Sequence, residues 1–264
     1  MDSFVASADQ VAAISAVIAK PRFVNCEMLS VTVGTDPAWL QQVIPAPLVA
    51  DGDSVRIMIG RWQSNCVEDF SGAGIYVPAR LGDVHGEYVL AMYMDTDAAI
   101  IYGREVFGEP KKQASVQLRR ANGVASGWVE RRGERIIHLE AELVEDTGPL
   151  ETTGVNFNIK ATPSSDGNGL EHDAVITIAD FDVRLSVTMA GPGGIALKGN
   201  GHDPLDTIPI TDIRGAVWQE GDLLATSHSA ATIPSDQFLP YYFARIDDYS
   251  LLDSETRAFP HKSR

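Results

Sequence analysis

The chain is poor in several things that would have named a function at once. It has two cysteines in 264 residues, Cys26 and Cys66. That is too few for a disulfide scaffold and points to a reducing compartment. It lacks any run of about 18 or more apolar residues, so no transmembrane helix is expected. Basic residues are scarce, 21 against 36 acidic, for a net charge of −15. This argues against nucleic acid or an anionic membrane as a partner held by a broad electrostatic footprint. The six histidines show no metal-ligand spacing, and no Gly-x-Ser-x-Gly elbow, P-loop or dinucleotide fingerprint occurs. Residues 1–20 carry Asp2 and Asp9 and no basic n-region, so they do not read as a signal peptide, and a cytoplasmic location is expected. With no internal repeat, low-complexity tract or linker, residues 1–264 are expected to form one domain.

What is present is an ordinary globular composition, 44% hydrophobic and 22% charged. Val11, Ala12, Ile14, Val17 and Ile18 predict a short amphipathic helix starting near Ser7 or Asp9, an N-terminal arm stopped by Pro21. Phe23 to Val33 reads as a strand. Thr35-Asp36-Pro37 then starts a helix, with Asp36 as cap and Pro37 in the first turn, running to about Val43 or Ile44. Further strands are expected at Val55 to Trp62, Gly72 to Leu81 and Ser115 to Leu118, with a turn at Val84-His85-Gly86. A hairpin is expected from Val124–Glu130 and Arg135–Val144. A strand or strand pair spans Val175 to Val187, a loop Gly191 to Gly194, and a late strand Val217 to Thr226. Pro240 starts a terminal helix, and residues 254–264 read as a frayed tail. Pattern alone thus gives a β-rich, antiparallel chain with a few helices. The acidic run Glu140 to Asp146 is a solvated strand face and its turn.

The stretch that organises the chain is Gly103-Arg104-Glu105-Val106-Phe107-Gly108-Glu109-Pro110-Lys111-Lys112. It follows a strand-like run from Glu87 to Tyr102 that ends in apolar Ala98 to Ile101. Two glycines and a proline break regular structure and present two adjacent lysines in a tight loop. An amine is a nucleophile only when deprotonated. A neighbouring ammonium or an apolar wall favours that form.

This string resembles the active-site segment of acetoacetate decarboxylases, Gly-Arg-Glu, a few residues, Pro-Lys-Lys. Other stretches are similar too: the first strand with Thr35-Asp36, its short helix and Pro45-Ala46-Pro47-Leu48, and Asn156 to Lys160 with Thr162-Pro163 and Asp166-Gly167. Gly191-Pro192 and the helix near Pro240 extend the likeness. The resemblance implies an α+β fold on a curved, barrel-like antiparallel sheet with a few peripheral helices. It implies a lysine in a central apolar cavity and a homo-oligomer. It implies a cofactor-independent lyase acting on a small keto acid or ketone. Lys111 would form the Schiff base and Lys112 would be the neighbour that lowers its pKa. That family is the standard instance of such an activated lysine, so these roles come from the resemblance alone. Loss of carbon dioxide from the iminium is the namesake reaction. The same iminium–enamine pair supports aldolase-dehydratase chemistry, and a relative that only binds a ligand is a third reading.

The pocket departs from the family pattern. Cys26 stands where the family has an arginine, and Met58 where it has a glutamate. Phe70 or Gly72 stands where it has a second glutamate, with Glu68 and Asp69 nearby but out of register. Glu109, in a position often aromatic in the family, is a candidate replacement acid/base. Arg104 and Glu105 are expected to pair with each other or with the loop backbone, and Phe107 to line the pocket. Arg61 is either a carboxylate ligand or a surface residue. His202 and His228 either reach the pocket or are satisfied elsewhere.

Overall fold

The structure, a computed structural model, describes residues 4–245. Helix α1 (Ala8–Ala19) begins at a capping box: the Ser7 hydroxyl accepts from the Gln10 amide, and the Gln10 side chain accepts from the Ser7 amide. Strand β1 (Arg22–Gly34) follows, then α2 (Pro37–Val43), whose Asp36 cap accepts from the Ala38 amide at 2.8 Å. Next come β2 (Val49–Ala50), β3 (Ser54–Ser64), β4 (Glu68–Leu81) and β5 (Val84–Met94). Helix α3 (Asp97–Tyr102) runs into a π-helical turn, Gly103–Phe107. Then follow β6 (Lys111–Gln113), β7 (Ser115–Ala121), β8 (Val124–Arg131), β9 (Glu134–Glu142), β10 (Glu145–Asp146) and β11 (Leu150–Lys160). The last elements are β12 (Ala174–Gly191), β13 (Gly193–Leu197), a 3₁₀ turn at Leu205–Thr207, β14 (Asp212–Ile233) and α4 (Ser235–Arg245).

Seven strands close into a barrel in the order β4, β3, β1, β14, β12, β11, β5, with β5 returning to β4. The expected curved, barrel-like sheet with few helices is therefore present. It is mixed rather than wholly antiparallel, because β5 runs parallel to β11 and to β6. A second sheet, β13-β9-β8-β7, covers one side.

Strand alternation separates two interiors. On β1, Leu29, Val31 and Val33 point outward into the main core, and on β3 Val55, Ile57 and Ile59 do the same. They meet Val116, Leu118, Val129, Ile137 and Leu139 of the second sheet. The alternate residues, Met28, Ser30 and Thr32 on β1 and Arg56 and Met58 on β3, point into the barrel and line its cavity. A wall buried on both faces reads as a near-continuous apolar run, which is why these strands were legible.

Several expectations need correction. Val84-His85-Gly86 belongs to β5, the turn falling just before it. The apolar run Ala98 to Ile101 is helix, not the end of a strand. Thr96 caps it, its hydroxyl accepting from the Ala99 amide. The Gly191–Gly194 loop shrinks to Pro192 between two strands. The late strand extends to 22 residues, Asp212 to Ile233. The terminal helix begins at Ser235 and carries Pro240 inside it. Phe238 and Tyr242, one turn apart and both buried, anchor it despite the missing proline donor. The tail at 254–264 lies outside the described residues. Among the described residues no helix is long and apolar enough to cross a membrane, and no group of side chains is arranged to hold a metal ion.

Candidate active site

The π turn delivers the lysines. Gly108 caps it at φ +80°, a left-handed conformation that favours glycine. The chain then reverses: the Glu109 amide donates to the Gly103 carbonyl at 3.0 Å and the Lys111 amide to the Glu109 carbonyl at 2.9 Å. Arg245 donates to the Gly108 carbonyl at 2.9 Å, and Thr177 donates to the Phe107 carbonyl. Arg104 donates to the Lys111 carbonyl at 3.2 Å. The lysine backbone is thus fixed from several sides. The pair sits on a short strand, β6, rather than in an open loop.

Because successive side chains of a strand face opposite ways, β6 splits the two lysines. Lys111 points into the barrel. It is 7% exposed, and its Nζ lies 2.8 Å from Oε2 of Glu109, also 7% exposed. The Phe70 ring centroid is 5.8 Å from the same nitrogen. Gly103 makes room for this pair: a Cβ there would lie 2.5 Å from Lys111 Cδ and 2.6 Å from its Nζ. Glu109, a candidate on sequence, is therefore a buried partner of the lysine.

Lys112 points the other way, into a second polar cluster. Its Nζ donates to Asp203 Oδ1 at 3.0 Å and to the His202 carbonyl at 2.7 Å. Arg131 Nε donates to Asp203 Oδ2 at 2.8 Å, and the Tyr93 hydroxyl to Oδ1 at 3.1 Å. Burial alone would push the Asp203 carboxyl up, but Lys112 and Arg131 outweigh it and hold the group below the usual carboxylate range. Lys112 shares the Asp203 carboxylate with Arg131. These contacts tie β6 to the 200–203 loop.

Lys111 and Glu109 line a cavity of about 700 Å³ inside the barrel. One cross-strand row, Met58, Gly74, Met92 and Lys111, crosses its wall. Met58 and Phe70 both line it, as expected. Trp62 stacks on Phe70 with centroids 5.2 Å apart. Cys26 does not line it. It is fully buried behind Met28 and Leu185, and burial, then Asp222, push its thiol up to about 12. Phe107 is buried against Tyr102 rather than in the cavity. Arg104 acts through the Lys111 backbone. Glu105 is exposed and does not line the cavity. Arg61 pairs with Glu27 at the surface, His228 pairs with Asp180, and His202 meets Arg132.

Sequence reasoning missed a polar group on the cavity wall, Arg56 with Glu87 and Tyr76. Arg56 donates from Nε to Glu87 Oε1 at 2.9 Å, with a second contact to the same carboxylate, and stacks 4.2 Å over the Tyr76 ring. Arg56, Glu87 and Tyr76 all line the cavity. The available signal was parity: Arg56 lies two residues from Met58 and so shares its face.

Comparison with known proteins fits this geometry. The sequence model of the family described as acetoacetate decarboxylase (ADC) matches residues 9–231. An acetoacetate decarboxylase of Burkholderia cenocepacia is 30% identical over 210 residues, covering 76% of this chain and 84% of that protein. Among solved structures, an acetoacetate decarboxylase from Legionella pneumophila superposes with a TM-score of 0.74 at 23% identity, over 80% of this chain and 87% of that one. The enduracididine biosynthesis enzyme MppR shares the fold, with a TM-score of 0.69 at 14% identity over 81% of this chain and 88% of that one. With a matched motif, a barrel built around its lysine and relatives at this identity, the chain belongs to the acetoacetate decarboxylase family.

Proposed function

We propose that the protein is a cofactor-independent Schiff-base lyase that decarboxylates a keto acid bulkier than acetoacetate. The observation that carries this reading is the buried contact of Lys111 Nζ with Glu109 at 2.8 Å, inside an apolar-walled cavity. The carboxylate is within reach to take a proton from the ammonium, leaving a neutral amine. That amine attacks the keto carbon. The protonated Glu109 then donates to the departing hydroxyl of the carbinolamine, giving an iminium and water. The iminium accepts the electron pair released as carbon dioxide leaves, forming an enamine. Protonation at carbon and hydrolysis return the ketone and the free lysine.

The size of the cavity supports a larger substrate. Ligand pockets of about 300–1,000 Å³ take drug-sized molecules. A four-carbon keto acid fills only a small part of 700 Å³. Met58, Phe70, Trp62, Met92 and Met94 offer apolar and aromatic surface for the remainder.

Aldolase-dehydratase chemistry is the second reading, favoured by the apolar Met58 and Phe70 at positions where the resemblance leads one to expect carboxylates. Product analysis separates the two. The protein is incubated with acetoacetate, with longer and aryl-substituted β-keto acids, and with pyruvate plus an aldehyde. Carbon dioxide release and product mass are followed. Release from the larger β-keto acids supports decarboxylation. A condensation product with every carbon retained replaces it with the second reading.

A further inference from the structure

Among the groups facing the cavity, one hydroxyl stands out. Tyr76 is 3% exposed, yet its hydroxyl makes no hydrogen bond among the described residues. The end of its ring lies over Gly74, close enough that a Cβ there would come within 2.6 Å of Tyr76 Cζ. Gly74 belongs to the cross-strand row that ends at Lys111. Tyr76 and Lys111 line the same cavity, with Gly74 two strands from Lys111 along that row. The Arg56 guanidinium lies 4.2 Å from the ring centroid, held there by Glu87. The ring is buried while the residue lines the cavity, so a bound ligand can meet its hydroxyl.

We propose that Tyr76 delivers the proton to carbon in the enamine step, a role that rests on the Schiff-base reading of Lys111. The enamine electron pair forms the new C–H bond with the Tyr76 proton, and the nitrogen lone pair forms C=N, giving the product iminium. The O–H electrons remain as phenolate, beside the Arg56 cation. Water then adds to the iminium, and the proton freed as ketone and neutral amine separate returns to the phenolate. Burial, opposed by Arg56 and reinforced by Glu109 and Glu87, holds the Tyr76 hydroxyl above the usual phenol range, so the donor is protonated before each turnover. The division of labour is specific: Glu109 serves the nitrogen and oxygen steps, and Tyr76 serves carbon.

The test uses acetone as probe and the variant Tyr76→Phe, which keeps the ring and its stack on Arg56. Two rates are read on the full chain: borohydride trapping of the acetone iminium, and deuterium exchange of acetone methyl protons in D₂O. Exchange runs the carbon proton step forward and back. The expected result is trapping equal to wild type with exchange slowed by about 10²-fold or more. Exchange at the wild-type rate overturns the proposal, as does a parallel fall in trapping and exchange, which would place the hydroxyl in binding or imine formation. If the wild-type protein traps no ketone at all, the Schiff-base reading itself fails, and that outcome is distinct from the others.

Discussion

Replacing Gly103 by alanine separates the stability of this protein from its chemistry. Gly103 has φ −63° and ψ −41°, ordinary right-handed helical values that alanine adopts readily. Alanine in place of glycine gains roughly 1 kcal/mol of helix propensity in such a setting. The new Cβ would stand 2.6 Å from Lys111 Nζ, whereas ordinary contact begins at 3.4 Å, so the amine must retreat by 3.4 − 2.6 = 0.8 Å. Lys111 Cδ and Glu109 Oε2 must also yield. All three atoms belong to flexible side chains and none to backbone, so the fold survives and the pair parts. A misplacement of about 1 Å at a reacting group costs on the order of 10²-fold in rate. The expected outcome is a melting temperature within about 4 °C of wild type, the span of ~1 kcal/mol for a chain of this size, and kcat on a turned-over β-keto acid lower by about 10²-fold. Wild-type kcat in Gly103→Ala would refute the claim that the Lys111–Glu109 contact governs the reaction. A collapse of the fold would refute the claim that only side chains are displaced.

Other outcomes follow from the same geometry. Asp203→Asn leaves Lys112 and Arg131 without their shared carboxylate, and breaking a buried pair costs about 3–5 kcal/mol, read as a large fall in the urea midpoint. Because the folded Asp203 pKa lies below its ordinary 3.8, its stabilisation is full above that value and is lost as pH falls through the lower folded pKa. Asp203→Asn should therefore flatten the stability–pH curve below about pH 4, and an unchanged acid limb would contradict the assignment. Thiol titration of the native protein should find Cys66 reactive and Cys26 silent, since Cys26 is fully buried and its thiol is pushed up to about 12. Both should react in denaturant. Native reaction of Cys26 would mean that the cavity extends to it.

The local signals in the sequence were read well and the distant ones were not. Ser7, Asp36 and Pro37 act on neighbours two or three residues away, so the starts of α1 and α2 were legible. The string from Gly103 to Lys112 is also local, and it marked the lysine without any knowledge of the barrel. Its neighbours are not local. Asp203, which takes up Lys112, is 91 residues away, and Glu87 is 31 residues from Arg56. Tyr76 acquires meaning only once β4 lies between β3 and β5. The opposite facing of the two lysines was not legible, because nothing nearby in sequence says that residues 111–113 pair with β5. That pairing fixes the alternation and turns the lysines apart. The 97–102 segment misled because its apolar run outweighed the Thr96 cap.

The central claim is the iminium on Lys111, and borohydride trapping tests it most directly. The protein is incubated with acetoacetate, pyruvate and a longer β-keto acid, reduced, and examined by intact and peptide mass, with Lys111→Ala as control. The account predicts a stable adduct on the peptide that holds Lys111, absent from the control, with a mass showing that carbon dioxide has left the β-keto acids. No adduct with any ketone, in protein shown to be folded, would contradict it.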